Sequence, residues 1–117
     1  MLYYLYMGEY EAFRGGEWRT HNEENELKPL FSLGQIVGTP GALDALVDAQ
    51  QNPFELLVRH VTGDWGELED EDKKENNLSV MEGYRILSTY ELETGVKIWL
   101  ITEWDMSFTT FLLPEDY

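Results

Sequence analysis

The sequence predicts an α+β fold, with three helices packed on an antiparallel C-terminal three-stranded meander and an N-terminal strand or hairpin segment before them. Three observations predict it. Thr39-Pro40 and Asn52-Pro53 each open a short stretch of helical apolar spacing. From Tyr84 onward the chain is rich in β-branched and aromatic residues, broken by turn residues at short intervals. A dense acidic stretch joins these two halves. The late strands are linked too closely for crossovers, so neighbours run antiparallel, with the helices segregated on one face.

A chain of 117 residues suits one domain with a core of its own. Residues 1–30 read as a variable N-terminal extension packed on the domain, and 31–117 as the α+β domain. Within the extension, tyrosine-rich Met1–Met7 suits a strand. Tyr10–Phe13 and Trp18–Thr20 suit a hairpin around Gly15-Gly16, and His21–Glu26 a loop.

Phe31–Gly38 is apolar with a strand-like end. In the first helix Thr39 is the N-cap and Pro40 the first helical residue, with Ala42, Leu43, Leu46, Val47 and Ala49 on the apolar side. The second repeats that start at Asn52-Pro53, buries Phe54, Leu57, Val58 and Val61, and stops at Gly63. A third runs from about Asp70 to Glu82 and ends at Gly83. Glu69 is its N-cap, and Leu68, Leu78 and Met81 are its few apolar contacts, so it lies on the surface. Strands follow at Tyr84–Glu93, Val96–Glu103 and Ser107–Leu113. The middle one is apolar on both faces and suits the centre of a sheet, with Trp99 in the core.

The chain holds 23 Asp and Glu against eight Lys and Arg, a formal net charge of −15. Nucleic acid and anionic lipid repel such a surface; basic protein surfaces and cations attract it. Cysteine is absent, which excludes disulfides and thiolate chemistry and fits a cytoplasmic setting. No apolar run reaches the roughly 20 residues of a membrane helix, and the N-terminus lacks the basic leader of a signal peptide.

Charge concentrates between Asp64 and Glu75. Asp64, Glu67, Glu69, Asp70, Glu71, Asp72 and Glu75 face only Lys73 and Lys74, a net −5 in twelve residues. The helix macrodipole accounts for Asp70, Glu71 and Asp72 in a first turn, but not for Glu67, Glu75 or the total. Carboxylates at i, i+3 and i+4 lie about 5–6 Å apart, near the spacing of phosphates on a nucleic-acid strand. The run has the length of a calcium loop, yet Gly66 and Leu68 stand where ligands belong and Glu69 where Gly is required. No metal or cofactor is expected.

Nucleophilic chemistry has little to draw on. No serine sits in a G-x-S-x-G turn, and the histidines are His21 and His60. His60 with Asp64, and Glu67 nearby, suits a general base with its orienting carboxylate, but a His at this position more often caps a helix C-terminus. Trp65, next to Gly66, reads as a core plug, with ligand stacking as the other role.

The blocks LGQIVGTPGALDAL, RHVTGDWGELEDEDKKEN and GYRILSTYELETGVKIWLITEWDMSFTTFLLPEDY resemble a family of small, mostly uncharacterised proteins borne on plasmids and phages, some loosely labelled plasmid-related or restriction–modification-associated. The likeness covers roughly residues 31–117. Glu69 departs from the short Asp or Ser of the family's helix cap, and Trp104-Asp105-Met106-Ser107 from its more basic turn. The resemblance implies a mobile-element setting and supplies no catalytic residue.

The expectation is therefore an acidic, non-enzymatic mobile-element protein that mimics nucleic acid, of the anti-restriction or anti-CRISPR type. Asp64, Glu67, Glu69, Asp70, Glu71, Asp72 and Glu75 would meet the basic surface of a nucleic-acid-binding protein, with no direct nucleic-acid or membrane contact. The alternatives are a small enzyme or ligand-binding domain using His60, Asp64 and Trp65, and an accessory domain without a specific site.

Overall fold

The computed structural model describes Tyr3–Tyr4 and residues 28–117. The expected hairpin around Gly15-Gly16 and the loop His21–Glu26 lie outside the described residues. The fold is α+β, as the sequence predicts. Along the chain come β1 (Tyr3–Tyr4), β2 (Gln35–Gly38), α1 (Pro40–Asp48), α2 (Pro53–Val61), α3 (Asp70–Glu82), β3 (Ile86–Glu91), β4 (Lys97–Thr102), β5 (Phe108–Leu112) and a 3-10 turn at Pro114–Asp116.

The strands form one sheet in the order β1-β2-β5-β4-β3. The C-terminal meander is antiparallel, pairing Ser88 with Leu100 and Leu100 with Phe111. The sheet as a whole is mixed. β2 runs parallel to β5, with Gln35 opposite Phe108 and Gly38 opposite Phe111. The expected antiparallel three-stranded meander is therefore present, and the sheet extends beyond it: β2 comes before the helices and reaches β5 only after the rest of the fold has intervened.

Side chains alternate across a strand, so the register sorts the sheet into two faces. Ile36, Ile86, Tyr90, Ile98, Leu100 and Phe111 join Ala42, Ala45 and Leu46 of α1 and Leu56, Leu57 and Val61 of α2 in one core. Val37, Ile101 and Leu112 are buried outside that core, in the alternate register. Trp99 shares their face, opposite Leu112, so it is half-buried and not a core residue as expected. Its ring meets that of Tyr117 at an angle, with centroids 5.7 Å apart.

Helix boundaries follow the local chemistry. Thr39 Oγ1 accepts from the Ala42 amide and Asn52 Oδ1 from the Phe54 amide, each just before a proline at the helix start. α2 ends with the Asp64 amide donating to Arg59 O and the Gly63 amide to His60 O, a Schellman pattern. Val47, expected on the apolar side of α1, is exposed, and Ala45 takes that place.

Candidate functional site

α3 is a helix with almost no apolar side. Its buried residues are Asn76 and Ser79, and hydrogen bonds hold it in place. Asn76 Nδ2 donates to Leu87 O, and Asn76 Oδ1 accepts from the Leu87 amide at 3.1 Å. Asn77 Oδ1 accepts from Trp65 Nε1 at 3.2 Å. Just before the helix, the Glu67 amide donates to Thr89 O at 2.7 Å and the Thr89 amide to Trp65 O at 3.2 Å. The acidic stretch thus occupies the open edge of β3, where unpaired strand groups would otherwise invite another chain.

Gly66 makes the approach possible. Its φ is +76°, and a Cβ there would stand 2.0 Å from Thr89 O. Only glycine adopts that conformation without strain and lets the two backbones bridge.

All seven sequence-predicted site residues are exposed. Asp64 is nevertheless engaged. Its Oδ2 accepts from Arg59 Nε at 2.7 Å and its Oδ1 from the Gly66 amide at 3.1 Å. The Arg59 guanidinium holds its carboxyl below the usual carboxylate range, while itself lying 4.5 Å from the Tyr90 ring centre. Asp64 is therefore part of a turn clasp. Among the described residues no ion pair is made by Glu67, Glu69, Asp70, Glu71, Asp72 or Glu75. Glu69 occupies the N-cap position without a side-chain capping bond.

Leu78 and Met81 differ from the sequence expectation. They are 51% and 79% exposed and lie on the side away from Asn76, Asn77, Ser79 and Val80, through which α3 meets the domain.

His60 is also placed otherwise than expected. It does not cap α2. It is fully buried, and both ring nitrogens are engaged: Nδ1 lies 2.6 Å from Ser88 Oγ, and Nε2 2.9 Å from Thr102 Oγ1. Thr102 Oγ1 lies 2.6 Å from Thr109 Oγ1, which donates to Leu33 O at 2.7 Å. A carbonyl only accepts, each hydroxyl has one proton and a neutral imidazole carries one N–H, so the direction is fixed throughout. Thr102 donates to Thr109, Nε2–H donates to Thr102, and Ser88 donates to Nδ1. The ring is neutral, because burial pushes its pKa down to about 3.

The Ser88–His60 pair has the spacing of a base and its nucleophile, but both residues are wholly buried. Every proton in the chain is committed toward the Leu33 carbonyl, so the network ties α2 to β3, β4, β5 and the segment before β2. Trp65 is buried too, edge-on to His60 at 6.0 Å between ring centres. His60, Asp64 and Trp65 consequently share no solvent-facing surface. Sequence reasoning missed Ser88, Thr102 and Thr109; their only signal was alternation on apolar strands.

Comparison with protein-family models, curated proteins and solved structures gives no match.

Proposed function

We propose that the chain is a non-enzymatic acidic binding protein of a mobile element, which offers α3 and the loop before it to the basic, nucleic-acid-binding surface of a host defence complex. One observation carries this reading. Glu67, Glu69, Asp70, Glu71, Asp72 and Glu75 are exposed and make no ion pair among the described residues, on α3 and the loop before it, which hydrogen bonds fix to the sheet edge by the other side. Carboxylates held on a stiff support present a charge pattern without first having to be ordered, which favours association. The mobile-element setting rests on the family resemblance.

The test is competition. The tagged protein recovers its partner from host lysate, and duplex DNA or RNA is then titrated against the complex. The reading expects a nucleic-acid-binding partner released by nucleic acid. A partner that binds the protein and nucleic acid together would contradict it.

A further inference from the structure

Among the described residues, Leu78 and Met81 are apolar side chains that the core does not use. Both are more than half exposed, and neither belongs to the core nor packs against it. Residues three and four apart are neighbours on a helix surface, so the outward side of α3 resolves into two adjoining rows. Glu71, Glu75, Leu78 and Glu82 make one, and Asp70, Lys74 and Met81 the other, which borders the docking side at Asn77; these seven are exposed. The row that docks, with Asn76 and Ser79, lies on the opposite side. Leu78 and Met81 are therefore adjacent and outward, with glutamates before and after them.

Resting on the reading of the acidic ridge, we infer that this side of α3 docks a basic amphipathic helix, taking its apolar side chains on Leu78 and Met81 and its Lys and Arg on Glu71, Glu75 and Glu82. Charge complementarity chooses the occupant. A second copy of a chain of net charge −15 would set glutamates against glutamates, and nucleic acid or an anionic membrane would be repelled outright. A basic helix meets both features at once, and helices rich in Lys and Arg are what many nucleic-acid-binding proteins place in a groove. Apolar side chains at the centre of such a contact supply most of the energy that truncation removes, and charges at its rim mainly steer encounter.

The full chain, isotopically labelled, is titrated with two synthetic helical peptides of equal length and charge, one of Leu, Lys and Ala, the other of Lys and Ala alone, with amide NMR spectra as readout. The Leu-containing peptide should bind about tenfold more tightly or better, a difference of about 1.4 kcal/mol, and should move the resonances of Glu71, Glu75, Leu78 and Met81. The double variant L78A/M81A keeps good helix formers at exposed positions and should abolish the difference between peptides. The triple variant E71K/E75K/E82K should weaken both. Equal affinities for the two peptides, a silent L78A/M81A, or resonance changes centred elsewhere would overturn the apolar contact and leave the acidic reading standing. Affinities unchanged in E71K/E75K/E82K would bring down the acidic reading itself.

Discussion

Asn76 pairs with Leu87 as a neighbouring strand would, its side-chain amide donating to the Leu87 carbonyl and accepting from the Leu87 N–H. One helix residue thus satisfies both outward backbone groups of Leu87 on the edge strand. A buried donor or acceptor left unpaired costs about 1–3 kcal/mol. Asn76→Ala should destabilise the domain by about that amount in urea unfolding. Asn77→Ala removes one acceptor from Trp65 at an exposed position and should cost about 1 kcal/mol or less. Equal losses would mean that α3 is not held through the strand edge.

His60 predicts a specific acid sensitivity. Its folded pKa, about 3, lies below the unfolded value of 6.5, so the unfolded chain binds the extra proton. Its contribution is fully present above ~6.5 and is lost as pH falls from there toward ~3. The slope approaches about 1.4 kcal/mol per pH unit. The groups around the ring are Ser88, Thr102, Phe31 and Trp65, none of them charged. Asp64 is also shifted down, through the hydrogen bond from Arg59, but its contribution is lost only as pH falls through the carboxylate range. Between pH ~4.5 and ~6.5 the stability difference between the protein and His60→Gln should therefore shrink on acidification. A pH-independent difference would contradict the buried, neutral ring.

The two tryptophans should separate in a stability scan. Trp65 is buried in the core, and Trp65→Ala should cost about 3–5 kcal/mol. Trp99 lies half-buried on the other face beside Tyr117, and its replacement should cost about 1–2 kcal/mol, roughly half the value of full burial. Equal costs would show that the two faces of the sheet are packed alike.

What was legible in the sequence was local. Thr39-Pro40, Asn52-Pro53 and Gly83 mark helix ends that the structure reproduces, because caps and prolines act within one turn. The both-sided apolarity of Val96–Glu103 correctly indicated the strand between β3 and β5, but which face Trp99 takes depends on what packs there. The parallel seat of β2 depends on β5, far along the chain. The surroundings of His60 depend on Ser88 and Thr102, which lie 28 and 42 residues away. No local signal distinguishes a histidine that caps its own helix from one that turns inward to meet them. The acidic stretch was visible as charge, whereas its pairing with the β3 edge, through Asn76 and the bridge of Gly66 to Thr89, needed tertiary contacts.

Gly66→Ala should disrupt that edge more than its size suggests. The new Cβ would collide with the Thr89 carbonyl, at a backbone φ of +76°. Strain of this kind costs about 1–3 kcal/mol before the collision is counted. Gly83 has a similar φ, +83°, but open space around it, so Gly83→Ala should bear the strain alone. Faster amide hydrogen exchange at Thr89 in the first variant and not in the second is the expected signature.

The most direct test of the acidic ridge is the salt dependence of affinity for the partner recovered from lysate, measured for the protein and for two charge-reversal variants. One carries Lys at Glu67, Asp70, Glu71 and Glu75; the other carries Lys at Asp44, Asp48, Glu91 and Glu93, which are exposed elsewhere on the domain. Both change net charge equally. Screening confines such interactions to about 8 Å at physiological ionic strength, so position should matter more than total charge. A carboxylate ridge held in place should give steep weakening with salt and a far larger loss in the ridge variant. Equal losses in the two variants, or an affinity indifferent to salt, would contradict it.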